Sequence, residues 1–200
     1  MTKHSRIKCV ALLDRIMSAE QAAELIASDV NVGMSGFTGS GYPKEVPVAL
    51  AKRIRAEHDK GNPFKINVWT GASTAPELDG ALAEVDAIGM RLPYQSDPVA
   101  RRKINSGEME YMDIHLSHVA QHAWFGFYGK LDIAIIEVAG IHEDGTLIPA
   151  ASVGNNKTWI DRADKVILEV NYALNEKLEG MHDIYYGTEL PPHRKPVPIE

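Results

Sequence analysis

The residues best suited to chemistry lie in three short stretches rich in glycine and small polar residues. The first is Ser35-Gly36-Phe37-Thr38-Gly39-Ser40-Gly41, behind the alternating run 30–34 and ahead of Pro43. Glycines let the main chain take positive φ and approach a ligand closely. Pro43 suits the first turn of a helix, where no N–H partner is required. A strand, a glycine bend and a helix N-terminus make an anion site, because unpaired N–H groups and the positive end of the helix dipole meet there. The same pattern also makes a plain strand-to-helix turn, and both readings stand at this point. The second stretch is Thr70-Gly71-Ala72-Ser73, after the strand-like KINVWT. It is either a second wall of a site or an ordinary connecting loop. The third is Ser152-Val153-Gly154-Asn155-Asn156, where Gly154 and Asn155 either donate to a ligand or shape a turn.

Several charged side chains stand near these stretches. Arg91 follows the expected strand 86–90 and is placed to grip a carboxylate with both arms of its guanidinium. Its alternative is a surface ion pair. Arg101, Arg102 and Lys103 form a basic helical face, suited to phosphates or simply to solvent. Glu137 interrupts the most apolar run of the chain, and burial there raises a carboxylate pKa. His118 and His122 are four apart and share a helical face, with His115 nearby, a spacing that can hold zinc. No HExxH occurs and a third ligand would have to come from elsewhere, so no metal site is expected. Ser35 sits in GMSGF rather than GxSxG, which speaks against a serine hydrolase.

The elements that must position these residues are legible in outline. Hydrophobic residues make up 44% of the 200 and charged residues 24%, enough for one domain with a real core. The single cysteine, Cys9, allows no disulfide within the chain and fits a reducing, cytoplasmic setting. The net charge of −6 opposes broad nucleic-acid binding but not a local positive patch. No apolar run reaches membrane-spanning length, and Asp14 and Arg15 break up the N-terminal segment, so neither a membrane span nor a signal peptide is expected. Ser18 and Gln21 form a capping box ahead of a helix ending near Ser28. Helices are expected at 43–58, with Val46, Ala49, Leu50 and Ile54 on one face, and at 76–84, Pro98–Ser106, 118–127 and 158–162. Strands are expected at 30–34, 65–70, 86–90, 110–114, 131–139, Leu147–Pro149 and 165–170, with a hairpin turn at Glu143-Asp144-Gly145-Thr146. Pro191, Pro192, Pro196 and Pro198 mark an extended tail. Alternation of strands and helices gives an α/β fold, a mainly parallel sheet with helices on both faces. Ligands in such sheets sit beyond the carboxyl ends of the strands. The three loops are therefore expected to converge on one edge.

Six ordered segments carry a resemblance: SGFTGSGYPKEVPVAL, TGAST, RLPYQSD, EYMDIHLSHVAQ, DIAIIEVAGIHEDG and SVGN. Over residues 18–200 the chain resembles the N-terminal half of the acetyl-CoA hydrolase/transferase family, the class I coenzyme A transferases. The resemblance implies exchange of coenzyme A between an acyl-CoA thioester and a small carboxylate such as acetate or succinate. Coenzyme A enters as substrate; no permanently bound cofactor and no metal are implied. A glutamate attacks the thioester to give an acyl-glutamyl anhydride and a thiolate, which returns to form a glutamyl-CoA thioester. Gly36, Phe37, Thr38, Gly39, Ser40 and Gly41 then line the acyl or carboxylate pocket, with Phe37 excluding water. Gly71, Ala72, Ser73, Arg91, Gly154 and Asn155 complete it, and Glu137 accepts hydrogen bonds behind it.

The nucleophilic glutamate and the glycine-rich CoA loop of the family have no match within residues 1–200, so no catalytic residue is assigned here. Family members are expected to be about twice as long. The missing C-terminal half is the implied partner, and self-pairing as a homodimer is a further expectation. The alternatives are an acetyl-CoA hydrolase of the same fold, or a non-catalytic α/β domain that binds coenzyme A or a small acid. The chain alone, mixed with acetyl-CoA and succinate, is expected to give no succinyl-CoA. Robust turnover by chromatographic assay would place the nucleophile inside these 200 residues.

Overall fold

A computed structural model describes residues 4–184 and 192–193. Most of the proline-rich tail lies outside the described residues. The sheet has seven strands: β1 (Asn31–Met34), β2 (Ile66–Trp69), β3 (Ile88–Leu92), β4 (Glu110–Tyr111), β5 (Leu131–Ile141), β6 (Leu147–Pro149) and β7 (Ala163–Val170). Their order is β4-β3-β2-β1-β5, and β5 then pairs with both β6 and β7. Every pairing is parallel except the β5–β6 hairpin. The near-continuous apolar run of β5 is buried along almost its full length, as a central parallel strand requires.

Among the described residues, six α-helices flank this sheet: α1 (Ala19–Glu24), α2 (Glu45–Asp59), α3 (Ala81–Glu84), α4 (Pro98–Ser106), α5 (Leu116–Trp124) and α6 (Asn156–Arg162). Alternation along the strands sends side chains to two separate cores. Val32, Met34, Val68, Ile133 and Ile135 meet Ala23, Leu50, Ile54 and Leu82 of α1, α2 and α3 on one face. Ala134, Ile136 and Trp69 meet Val119, Ala123 and Trp159 of α5 and α6 on the other. Gly33 is required by this second packing: a Cβ there would lie 3.0 Å from Trp159 Cγ. No helix among the described residues is long and apolar enough to cross a membrane.

Several boundaries differ from the sequence reading. Pro43 lies outside α2, which starts at Glu45, and Pro47 is the proline in its first turn. That position tolerates a missing N–H. The strand expected at 86–90 runs two residues later, because Asp86 sits in a left-handed turn (φ 56°). Residues 76–84 divide into a single π-turn, Pro76–Gly80, followed by α3. Helix α5 spans Leu116–Trp124 rather than the expected 118–127, and Gly126, with a φ of 78°, follows its end.

The capping box at α1 is present in both directions. Ser18 Oγ accepts from Gln21 N at 3.3 Å, and the Ser18 amide donates to Gln21 Oε1 at 3.0 Å. Ser18→Ala is expected to cost about 1 kcal/mol. Urea denaturation of the two proteins checks it; identical midpoints would remove the cap from the stability account.

Candidate active site

The three loops do meet, at the carboxyl edge of β1 and β2. Buried Ser35 leaves β1, and its Oγ accepts from the amide of Asn155 at 2.8 Å. Asn155 Nδ2 donates to the Thr70 carbonyl at 3.4 Å. Ser152 Oγ donates to the Ser40 carbonyl at 2.6 Å. The junction leaves little room for side chains. A Cβ on Gly71 would stand 3.2 Å from the Gly36 carbonyl oxygen, and one on Gly154, at φ 50°, would stand 2.8 Å from Ser35 Oγ.

Residues 37–40 form a two-residue turn. Phe37 N donates to Ser40 O at 2.8 Å, and Ser40 N returns to Phe37 O at 3.1 Å. Thr38 (φ 46°) and Gly39 (φ 82°) both take left-handed backbone. For a β-branched residue this costs on the order of 1–3 kcal/mol, a strain that clusters at ligand sites. Phe37 is 53% exposed. The buried amides of Gly71 and Ala72 make no hydrogen bond to any described residue. These are the donors a carboxylate or a thioester oxyanion requires.

Arg91 is elsewhere occupied. It lies inside β3, fully buried, with Nε and Nη2 donating to the two carboxylate oxygens of Asp79 at 2.7 and 3.0 Å. Nη1 donates to the Leu92 carbonyl. The expectation that Arg91 faces a substrate carboxylate is therefore corrected: its fork is filled by an internal one. Asp79 Oδ2 in turn accepts from Thr74 Oγ1 at 2.7 Å and Thr74 N at 3.2 Å, which fixes the second loop. Burial pushes the Asp79 carboxyl up. Arg91 and the Thr74 hydrogen bonds outweigh that and hold it below its ordinary value.

The N-terminus of α2 is also occupied. Glu169 on β7 accepts from the amides of Lys44, Glu45 and Val46 at 2.6, 3.1 and 3.0 Å. The anion site expected there exists, and the chain's own carboxylate fills it. Lys44 Nζ donates to Glu137 Oε1 and to the Tyr42 carbonyl, both at 2.7 Å, and lies 4.1 Å from the Tyr42 ring centroid. Buried Glu137 also accepts from Asn171 Nδ2 at 2.8 Å. The Tyr42 hydroxyl donates to Glu77 at 2.7 Å. That hydrogen bond holds the Glu77 carboxyl low, while burial and Glu77 push the Tyr42 hydroxyl up.

Other candidates stand apart. Lys103 pairs with Asp86 at 3.1 Å, ahead of β3 and so at the opposite edge of the sheet. Arg101 and Arg102 are exposed. A cleft of about 510 Å³ lined by Ser28, His58, Lys65 and Asp86 lies at that same far edge. His115, His118 and His122 stack in a row with ring centroids 5.4 and 5.8 Å apart, and His122 contacts the Tyr128 hydroxyl at 3.1 Å. Nothing in the sequence points to Lys44, Asp79, Glu169 and Asn171 as binding or positioning groups. Lys44 lies within the quoted GYPKEVP, but its partners are distant in the chain.

A family profile described as Acetyl-CoA hydrolase/transferase N-terminal domain matches residues 4–189. The chain belongs to the acetyl-CoA hydrolase/transferase family. The match begins well before residue 18, where the sequence resemblance was first visible. Succinyl-CoA:acetate CoA-transferase of Clostridium kluyveri is 45% identical over 97% of this chain and 35% of its own length. Acetyl-CoA hydrolase of Neurospora crassa is 36% identical over 98% of this chain and 38% of its own. In fold the chain is similar to glutaconate coenzyme A-transferase from Acidaminococcus fermentans, with a TM-score of 0.55 and 12% identity over 82% of this chain and 68% of that one. The chain thus spans little more than a third of these two curated relatives, 35% and 38%, rather than the half expected.

Asp79→Asn would leave Arg91 buried without its counter-charge, at an expected cost of roughly 3–5 kcal/mol near neutral pH. The carboxyl's depressed pKa adds stability above its ordinary value of 3.8, lost as pH falls through the lower folded value. Urea midpoints of the two proteins should converge as pH drops below 3.8. A gap that does not narrow would contradict this account.

Proposed function

We propose that this domain forms the acid-binding side of an acyl-CoA:carboxylate CoA-transferase site, acting on acetyl- and succinyl-type substrates. The observation that carries this reading is that the amides of the buried residues Gly71 and Ala72, near the strained turn at Thr38 and Gly39, have no hydrogen-bond partner among the described residues. Fixed main-chain donors stabilise the oxyanion that forms when a thioester carbonyl is attacked, and need no reorganisation to do so.

The attacking carboxylate belongs to the remaining part of a family-length protein. It adds to the thioester carbonyl, the carbon–sulfur bond breaks, and the thiolate leaves with its electron pair. The thiolate then attacks the carbonyl of the enzyme's glutamate in the acyl-glutamyl anhydride and releases the first acid. The second acid reverses both steps. Gly36, Gly39, Gly71 and Gly154 bring no side chain to this wall, so the acid approaches main-chain N–H groups directly. Phe37, exposed in the isolated domain, would lie against the remaining part of the protein and keep water from the anhydride.

Arg91 has no place in this pocket, and Glu137 serves behind it. The name of the Neurospora relative favours a second reading, hydrolysis, in which water takes the place of the second acid.

Joining this chain to the C-terminal part of the Clostridium relative, then supplying acetyl-CoA and succinate, separates the two. Transfer yields succinyl-CoA; hydrolysis yields free coenzyme A alone. In the active assembly, Gly71→Val is expected to lower kcat/KM by about tenfold or more, equivalent to at least ~1.4 kcal/mol of transition-state stabilisation. Unchanged transfer by that variant would remove the second loop from the site.

A further inference from the structure

Glu137 and Glu169 are register partners across the parallel β5–β7 pairing. Like charges at opposed positions on neighbouring strands repel. Here each carboxylate is directed to a different part of one residue. The Lys44 ammonium goes to Glu137, and the Lys44 main-chain amide goes to Glu169. Pro43 and Pro47 carry no N–H, so the donors between them are Lys44, Glu45 and Val46, and Glu169 takes all three. Most helices satisfy these donors with a local Ser, Thr, Asn or Asp. This one is capped from a strand 123–125 residues away in sequence. The cap therefore ties the start of α2 to the sheet.

The tie reaches the glycine turn. Lys44 Nζ also holds the Tyr42 carbonyl, one residue past Gly41, while Ser152 holds the Ser40 carbonyl on the other side. We propose that Glu169 and Glu137, acting through Lys44, are positioning residues for the loop of residues 36–41. They fix where the loop enters α2 and so where the Thr38 and Gly39 amides stand relative to an incoming acid. The inference rests on the loop's place in the site proposed above, and its test separates the two.

Amide hydrogen exchange followed by NMR on this chain reads the clamp without any need for turnover. In Glu169→Ala, exchange at Lys44, Glu45 and Val46 and through residues 36–41 should quicken about tenfold or more, while Val68 in β2 keeps its rate. Added formate should restore the slow exchange by placing a carboxylate on the vacated amides, which a purely structural loss would not permit. Glu137→Gln, close to isosteric, should loosen the same loop and shows no formate effect. Unchanged loop exchange, a uniform increase across the sheet, or failure of formate to rescue Glu169→Ala would each overturn the clamp. Acetate titrated onto the wild type and Glu169→Ala tests the other reading. A loosened loop with unaltered acetate affinity keeps the clamp and removes the loop from the acid site.

Discussion

Two carboxylates standing side by side on parallel strands are the constraint from which the site side of this domain is built. Glu137 and Glu169 occupy paired positions on β5 and β7. Glu137 is buried in the most apolar strand of the protein. A buried ionised carboxylate persists only with a cation and hydrogen bonds to offset its desolvation. Lys44 and Asn171 supply them to Glu137, and the amides at the start of α2 serve Glu169 beside it. In meeting that electrostatic demand the chain fixes the exit of the glycine turn and the entry of the helix.

The second loop follows the same logic through a different pair. Asp79 and Arg91 are both fully buried and satisfy each other in two-point contact. Asp79 passes the constraint to Thr74, and Thr70 donates its amide to Leu92. Removing one partner of such a pair is costly because the other is left charged in the interior. The two internal ion pairs flank the junction at Ser35, Gly71 and Asn155. The charged groups nearest the loops are spent on holding them.

The glycines divide by physical cause. Gly154 is demanded by Ser35 at the loop junction, while Gly71 and Gly33 sit close against the Gly36 carbonyl and the indole of Trp159. Gly39 serves a left-handed turn with little around it. From sequence these positions look alike. Only packing separates a glycine needed for space from one needed for φ.

Local chemistry, written in neighbouring residues, fixed much of this protein in advance. The capping box at Ser18 and Gln21, the helix Pro98–Ser106 closed by Gly107, the Leu147–Pro149 return strand and the buried apolar run of β5 all follow from interactions within a few residues. So does the family, because six ordered segments survive in the chain. The partners of Arg91, Lys44, Glu137 and Glu169 were decided by tertiary structure alone. Arg91 reads as a surface or substrate-facing arginine until β3 carries it opposite Asp79. The α2 N-terminus reads as an open anion site until β7 brings Glu169 to it. Periodicity reports which face a side chain takes, whereas an ion pair depends on which distant strand lies alongside, and that is set by sheet order and register.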